Sequence, residues 1–129
     1  MSTGPIPTDI QLHTRSRELE LGYPGGENYR LSCEYLRVYS PSAEVKGHGP
    51  GQEVLQTGKL KVAIIAIRPV GNYALQLFFD DGHETGLYSW DYLYQLCAER
   101  QERWQDYLDR VSAAGAERDP DVQVVKLDL

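Results

Sequence analysis

Leu36-Arg-Val-Tyr-Ser-Pro-Ser-Ala-Glu-Val-Lys-Gly-His-Gly-Pro-Gly-Gln52 divides the chain into two patterned halves. It holds two of the seven prolines and three of the twelve glycines. Pro41 disfavours helical backbone at Ser40, so any helix entering the stretch must stop there. The segment 43–59 that follows is long for a compact domain. Connections beyond about 12 to 15 residues without secondary structure are either functional or disordered. A short edge strand near residues 53–56 is expected to interrupt it.

Upstream, Glu18-Leu-Glu-Leu-Gly-Tyr23 alternates, with Leu19, Leu21 and Tyr23 on one face. Pro24-Gly-Gly26 is a turn, and Asn28 to Leu31 returns as a partner strand. Ile10 to His13 makes a further strand, and the proline-bearing residues 1–9 read as an extended lead-in. Ser32 is placed to cap a helix of about two turns from Cys33. Downstream, Leu60 to Ile67 is almost continuously apolar and is expected to be a central strand buried on both faces. Tyr73 to Phe79 is the next strand, Asp80-Asp81-Gly82 a tight hairpin turn, and Thr85 to Tyr88 a third strand. Ser89 caps the main helix, along which Trp90, Leu93, Cys97, Trp104, Tyr107 and Val111 recur at helical spacing. Gly115 ends it. The expected fold is α+β: an antiparallel β-sheet meander with a short helix and one long C-terminal helix packed on the sheet. Residues 1–115 form the single domain. The tail 116–129 is either disordered or a strand added to a sheet edge.

Composition narrows the class. The chain has 129 residues, 41% hydrophobic and 25% charged, with a net charge of −6. That length carries a core without staples, since the difficulty sets in below about 70 to 80 residues. An acidic balance with scattered Lys and Arg argues against a nucleic-acid groove. The longest apolar run, Val62 to Ile67, falls far short of the roughly 20 residues a membrane helix needs. No apolar leader opens the sequence, and Cys33 and Cys97 form no CxxC pair, so they read as reduced thiols in a cytoplasmic protein.

The candidate chemistry gathers at two places. His83 follows Asp80 and Asp81, and is read as a metal ligand, a general base or a plain turn residue. Beside two acids its pKa is expected to rise. His48, flanked by glycines, sits in either a binding loop or a flexible one. Gly47 to Gly51 lacks the Lys-Ser/Thr of a phosphate loop. Arg37 with Ser40 and Ser42 offers a weak anion site. A cysteine–histidine nucleophile pair has no motif behind it. Tyr88, Trp90, Tyr92 and Tyr94 cannot all face the core, which leaves either an exposed aromatic corner near His83 or an aromatic core edge.

Leu36-Arg-Val-Tyr-Ser-Pro-Ser-Ala-Glu44, Gly47 to Gln52, Pro69-Val-Gly-Asn-Tyr73, Phe79-Asp-Asp-Gly-His83 and Tyr88-Ser-Trp90 closely resemble small uncharacterised bacterial proteins of the gamma-butyrobetaine hydroxylase-like N-terminal domain family (DUF971-type). The resemblance spans about Ile10 to Cys97. In the hydroxylases the domain implied is a small α+β unit with a structural zinc held by three cysteines and a histidine. Here the matching positions are Ser40, Ser42, Val45 and His83. Hydroxyls and an isopropyl group do not replace thiolates around zinc, so the resemblance implies loss of that site. The hydroxylases' iron-dependent catalytic domain has no counterpart here. The same domain type also resembles a segment appended to P-loop iron–sulfur carrier proteins, which implies an accessory role near metal or cluster handling.

The resulting expectation is a non-enzymatic binding or adaptor domain with a protein partner and no cofactor, nucleic acid or membrane. Its surface would comprise Arg37, Ser40, Ser42, His48, Asp80, Asp81, His83 and Trp90. The alternative is an iron- or zinc-binding accessory protein in which His83 acts with His48, Asp80 or Asp81.

Overall fold

The computed structural model describes residues 4–47, 49 and 51–125. Strands β1 (Asp9–His13), β2 (Glu18–Gly22) and β3 (Asn28–Ser32) form one antiparallel sheet in that order. Its register sets Leu19 opposite Leu31 and Leu21 opposite Tyr29. The alternation seen in the sequence therefore places the leucines on the covered face. Ser32 then caps α1 (Cys33–Val38) by accepting a hydrogen bond from the Tyr35 amide at 3.0 Å. A single turn, α2 (Ala43–Lys46), follows the Ser40-Pro-Ser42 break.

The second half makes its own three-stranded antiparallel sheet, β4 (Ile64–Val70), β5 (Ala74–Phe79) and β6 (Leu87–Ser89), with β5 in the centre. Ser89 caps α3 (Trp90–Ala98), accepting from the Tyr92 amide at 3.2 Å. After Glu99 the chain continues as α4 (Arg100–Ala113). One core joins the parts: Leu19, Leu21 and Leu31 of the first sheet, Leu75, Leu77 and Phe79 of the second, and Leu93, Leu96 and Cys97 of α3. A smaller cluster of Val38, Tyr107 and Val111 seats α4 on α1.

The class expected from the sequence, α+β with antiparallel strands and a long C-terminal helix, is what the chain adopts. Several details differ. There are two meanders rather than one. Residues 60–63 are outside the strand, and β4 is an edge strand whose Ile65 and Ala66 face outward, not a central strand buried on both faces. A continuous apolar run does not itself distinguish these cases, and Pro69 inside the strand fits an edge, where its missing N–H removes no ladder bond. The tight turn at Asp80-Asp81-Gly82 forms, but β6 begins at Leu87 rather than Thr85, so the connection from β5 spans residues 80–86. No strand forms at residues 53–56, and the long helix is broken at Glu99, whose φ of −105° and ψ of 17° depart from helical values. The start of the C-terminal segment is fastened: the Glu117 and Arg118 carbonyls accept from the Gly58 and Leu60 amides, each at 2.9 Å.

The tyrosines explain much of the packing. Tyr35 donates to the Leu96 carbonyl, Tyr39 to Arg103, Tyr88 to Leu36, Tyr92 to Tyr39 and Tyr107 to Gln56, all at 2.6–2.7 Å. Each phenol buries its ring and satisfies a carbonyl on a different element. The Tyr88–Tyr94 group is therefore not an exposed corner.

Candidate functional site

The residues expected to act together converge at one end of α1. Gly82 takes a φ of 88°, which only glycine adopts without strain, and turns His83 inward. The Phe79 amide donates to the His83 carbonyl at 3.0 Å and closes the turn. His83 is only 5% exposed. Its Nε2 lies 2.7 Å from Ser40 Oγ and 3.5 Å from Ser42 Oγ, and its Nδ1 lies 3.1 Å from Glu44 Oε2.

The partners fix the tautomer. An ionised carboxylate only accepts, so Nδ1 carries the proton and Nε2 accepts from the Ser40 hydroxyl. Burial lowers the His83 pKa, the Arg37 guanidinium lowers it further, and Glu44 opposes them without winning. The rise expected from the neighbouring acids does not occur. Asp81 pushes the imidazole the same way as Glu44 but less, because its oxygens are engaged elsewhere: its Oδ2 takes Arg37 Nε at 2.9 Å and Lys59 Nζ at 2.6 Å, and its Oδ1 takes the His83 amide at 3.2 Å. Burial alone would raise the Asp81 carboxyl; Lys59, the His83 amide and Arg37 overrule it and bring it down to about 2. Arg37 is buried and also donates to Gln56 Oε1 at 3.0 Å.

A histidine buried in its neutral form has a stability signature. Its folded pKa is below the unfolded value near 6.5, so the unfolded chain binds the extra proton first. Stability is expected to fall as pH drops below about 6.5, and to stop falling below the lower folded value. Denaturant midpoints measured from pH 7.5 to 5 should show this slope in the wild type and a flatter one in His83→Gln.

The other candidates lie elsewhere. Asp80 exchanges two hydrogen bonds with Ala63, its amide donating at 2.9 Å and its carboxylate accepting at 3.1 Å. Trp90 belongs to the core and donates its indole N–H to the Asn72 carbonyl at 2.8 Å, so it is corrected from surface residue to anchor. His48 lies outside the described residues. Cys33 and Cys97 are buried free thiols, and burial raises both, Cys97 to about 11, which keeps them protonated and unreactive. Glu44, Lys59 and Gln56 complete the cluster and were not foreseen as site residues; Glu44 closes the family stretch Leu36–Glu44, whereas Gln56 and Lys59 lie outside every quoted motif.

Ser40, His83 and Glu44 have the connectivity of an activated serine. The Ser40 hydroxyl is enclosed, however, although Ser40 is among the residues that line the neighbouring cleft. Ser40 is 1% exposed, and a Cβ added at the adjoining Gly86 would stand 2.6 Å from its Oγ. Among the described residues no group of three or more His, Cys, Asp and Glu side chains could hold a metal ion. One imidazole, two hydroxyls and a mostly exposed carboxylate do not fit zinc, which takes thiolate and imidazole ligands in structural sites.

Beside the cluster, residues 38–47 and 53–56 form one wall of a cleft of about 870 Å³, with α4 as the other. Val38, Val45, Leu55 and Tyr107 line its apolar part. At its polar side Arg103 lies over Tyr39 and Tyr92 at 5.4 and 5.7 Å, Arg110 over Tyr39 at 5.7 Å, and Lys46 over Tyr92 at 5.0 Å.

A family model for the gamma-butyrobetaine hydroxylase-like N-terminal domain matches residues 10–94. Two proteins known from NMR solution structures are similar over nearly their whole lengths. One is 53% identical, covering 98% of this chain and 99% of its own, with a TM-score of 0.82. The other is 51% identical, covering 100% and 97%, with a TM-score of 0.79. A crystal structure from Acidithiobacillus ferrooxidans, of a protein with unknown function in the DUF971 family, is 40% identical over 72% of this chain and 93% of its own, with a TM-score of 0.61. No curated protein matches the chain. Match length, identity and shared architecture agree, and the chain belongs to the gamma-butyrobetaine hydroxylase-like N-terminal family.

Proposed function

We propose that this chain is a non-enzymatic binding module that receives a segment of a protein partner in the cleft between residues 38–47 with 53–56 and α4, without a resident cofactor. The observation that carries this reading is the pairing of a rigid wall with an open, partly apolar cleft. Arg37, Asp81 and His83 fix the wall from behind, and Val54, 53% exposed, stands on its rim. A cleft of this volume with a few placed polar groups has the usual character of a binding site. The enclosure of Ser40 favours a structural role for the serine–histidine–glutamate chain over hydrolysis, which needs room for a tetrahedral adduct.

The test is affinity capture from cell extract with three baits. Wild type and Ile65→Asp, altered at a position 67% exposed on the edge strand, should retain the same partner. Val54→Asp, which puts a charge on the cleft rim, should lose it. In parallel, a fluorophosphonate serine reagent should leave Ser40 unmodified. Equal capture by Val54→Asp and wild type, or stoichiometric labelling of Ser40, would overturn the proposal.

A further inference from the structure

Independently of the cleft, we infer that the outer face of the β4–β5–β6 sheet docks weakly on the same face of a second copy of this chain. The two sheets turn different chemistry outward. On the first, Glu18 and Glu20 alternate with the buried leucines, and their charges are answered within the chain. Arg30 reaches Glu18 at 3.5 Å and Glu20 at 3.4 Å, and His13 reaches Glu20 at 2.7 Å. On the second, Gln76 and Phe78 alternate with the buried Leu75, Leu77 and Phe79. Arg68 and Ala66 stand opposite them on β4, and Leu87 stands opposite Gln76 on β6. Leu87 is 43% exposed, Ala66 is exposed and Phe78 is half-buried. Arg68 is the only charged residue of the three strands.

Arg68 and Glu84 flank Gln76. One Arg68 Nη donates to Gln76 Oε1 at 2.6 Å, and Gln76 Nε2 donates to the Glu84 carbonyl at 2.7 Å. Neither the guanidinium nor the Glu84 carboxylate has a charged partner among the described residues. Gln76 stands between these two opposite charges, so they do not meet within one chain. A two-fold axis along β5 exchanges the two flanks. Each Arg68 then faces the flank that carries Leu87 and Glu84 of the other copy, its stem on the leucine and its guanidinium toward the carboxylate. Phe78 meets Phe78 near the axis, as in aligned packing of two sheets. The face supplies one cation and one anion, so it adds no repulsion to a chain of net charge −6. Three strands about 4.8 Å apart and about 20 Å long offer only about 300 Å² of flat surface per copy. A stable dimer buries about 800 Å² per partner, so the association is weak, with a dissociation constant on the order of 100 µM.

Sedimentation velocity and two-dimensional amide NMR of the full chain test this between about 20 µM and about 1 mM, which brackets that affinity. The average mass should climb from the monomer value toward twice it as concentration rises. The Gln76, Phe78 and Leu87 amides should shift in step. Arg68→Glu alone and Glu84→Arg alone should each weaken self-association about tenfold or more, because each sets like charges against one another. The double variant Arg68→Glu/Glu84→Arg should restore it. Both positions are exposed, so the fold is expected to tolerate the changes. A mass that stays monomeric up to about 1 mM would overturn the inference whatever the variants do. So would concentration-dependent shifts confined to other amides, or a double variant that associates no better than the singles.

Discussion

Asp81→Ala is expected to lower the unfolding free energy by about 3 kcal/mol, the low end of the range for breaking a buried ion pair. The low end applies because the Asp81 carboxylate keeps 22% exposure, whereas its partner Arg37 keeps 9%. The loss comes mainly from what is left behind. Without Asp81 the Arg37 guanidinium retains only the neutral Gln56 acceptor, and the His83 amide loses its acceptor as well. Asp81→Asn should recover part of the loss, since an amide oxygen can still accept from Arg37. Urea unfolding gives the comparison directly. The pH dependence gives an independent check. The folded pKa is depressed to about 2, so Asp81 contributes stability that is fully present above its unfolded pKa, near 3.9, and is lost as pH falls through about 2. The Asp81→Ala variant should lack that acid-side loss. A change below about 0.5 kcal/mol, the scale of ordinary surface substitutions, would mean that the Arg37–Asp81 contact does not fasten the wall.

Leu77→Ala is expected to cost about 2–5 kcal/mol. Leu77 is fully buried on the central strand β5, in the core that also holds Leu19 and Leu21 of the other sheet and Leu93 of α3. A cavity there removes contacts from both meanders at once. The two should therefore unfold together. Tryptophan fluorescence, from Trp90 and Trp104, and far-ultraviolet circular dichroism should give coincident denaturant transitions in wild type and variant. Separate transitions would mean that the sheets are independent units despite their shared core.

The first sheet was legible because its strands each cover one face, so that Leu19, Leu21 and Leu31 alternate with polar residues. Both serine caps were legible for a similarly local reason. The strand β4 was not, because an apolar run such as residues 60–67 records composition and not which neighbour covers it. The site divides in the same way. Ser40, Ser42 and His83 were drawn together by the family resemblance, but Glu44 stands 39 residues from its imidazole partner and Lys59 stands 22 from Asp81. No local pattern marks such pairs. The direction of the His83 shift was misjudged for a related reason: the sequence shows acids beside the histidine, and only the fold shows that Arg37 and Lys59 hold the nearer one while burial governs the ring.

The five phenol-to-carbonyl contacts bear on how the cleft can recognise anything. They tie α1, β6, α3 and α4, with Tyr39 and Gln56 of the connecting chain, to one another through short side chains with two rotatable bonds each. A receptor locked this way has little slack left to lose when a guest arrives, so the entropic toll falls chiefly on the guest. Selectivity would then follow lock-and-key matching of contour, and a guest too bulky for the preformed hollow would be turned away instead of being accommodated.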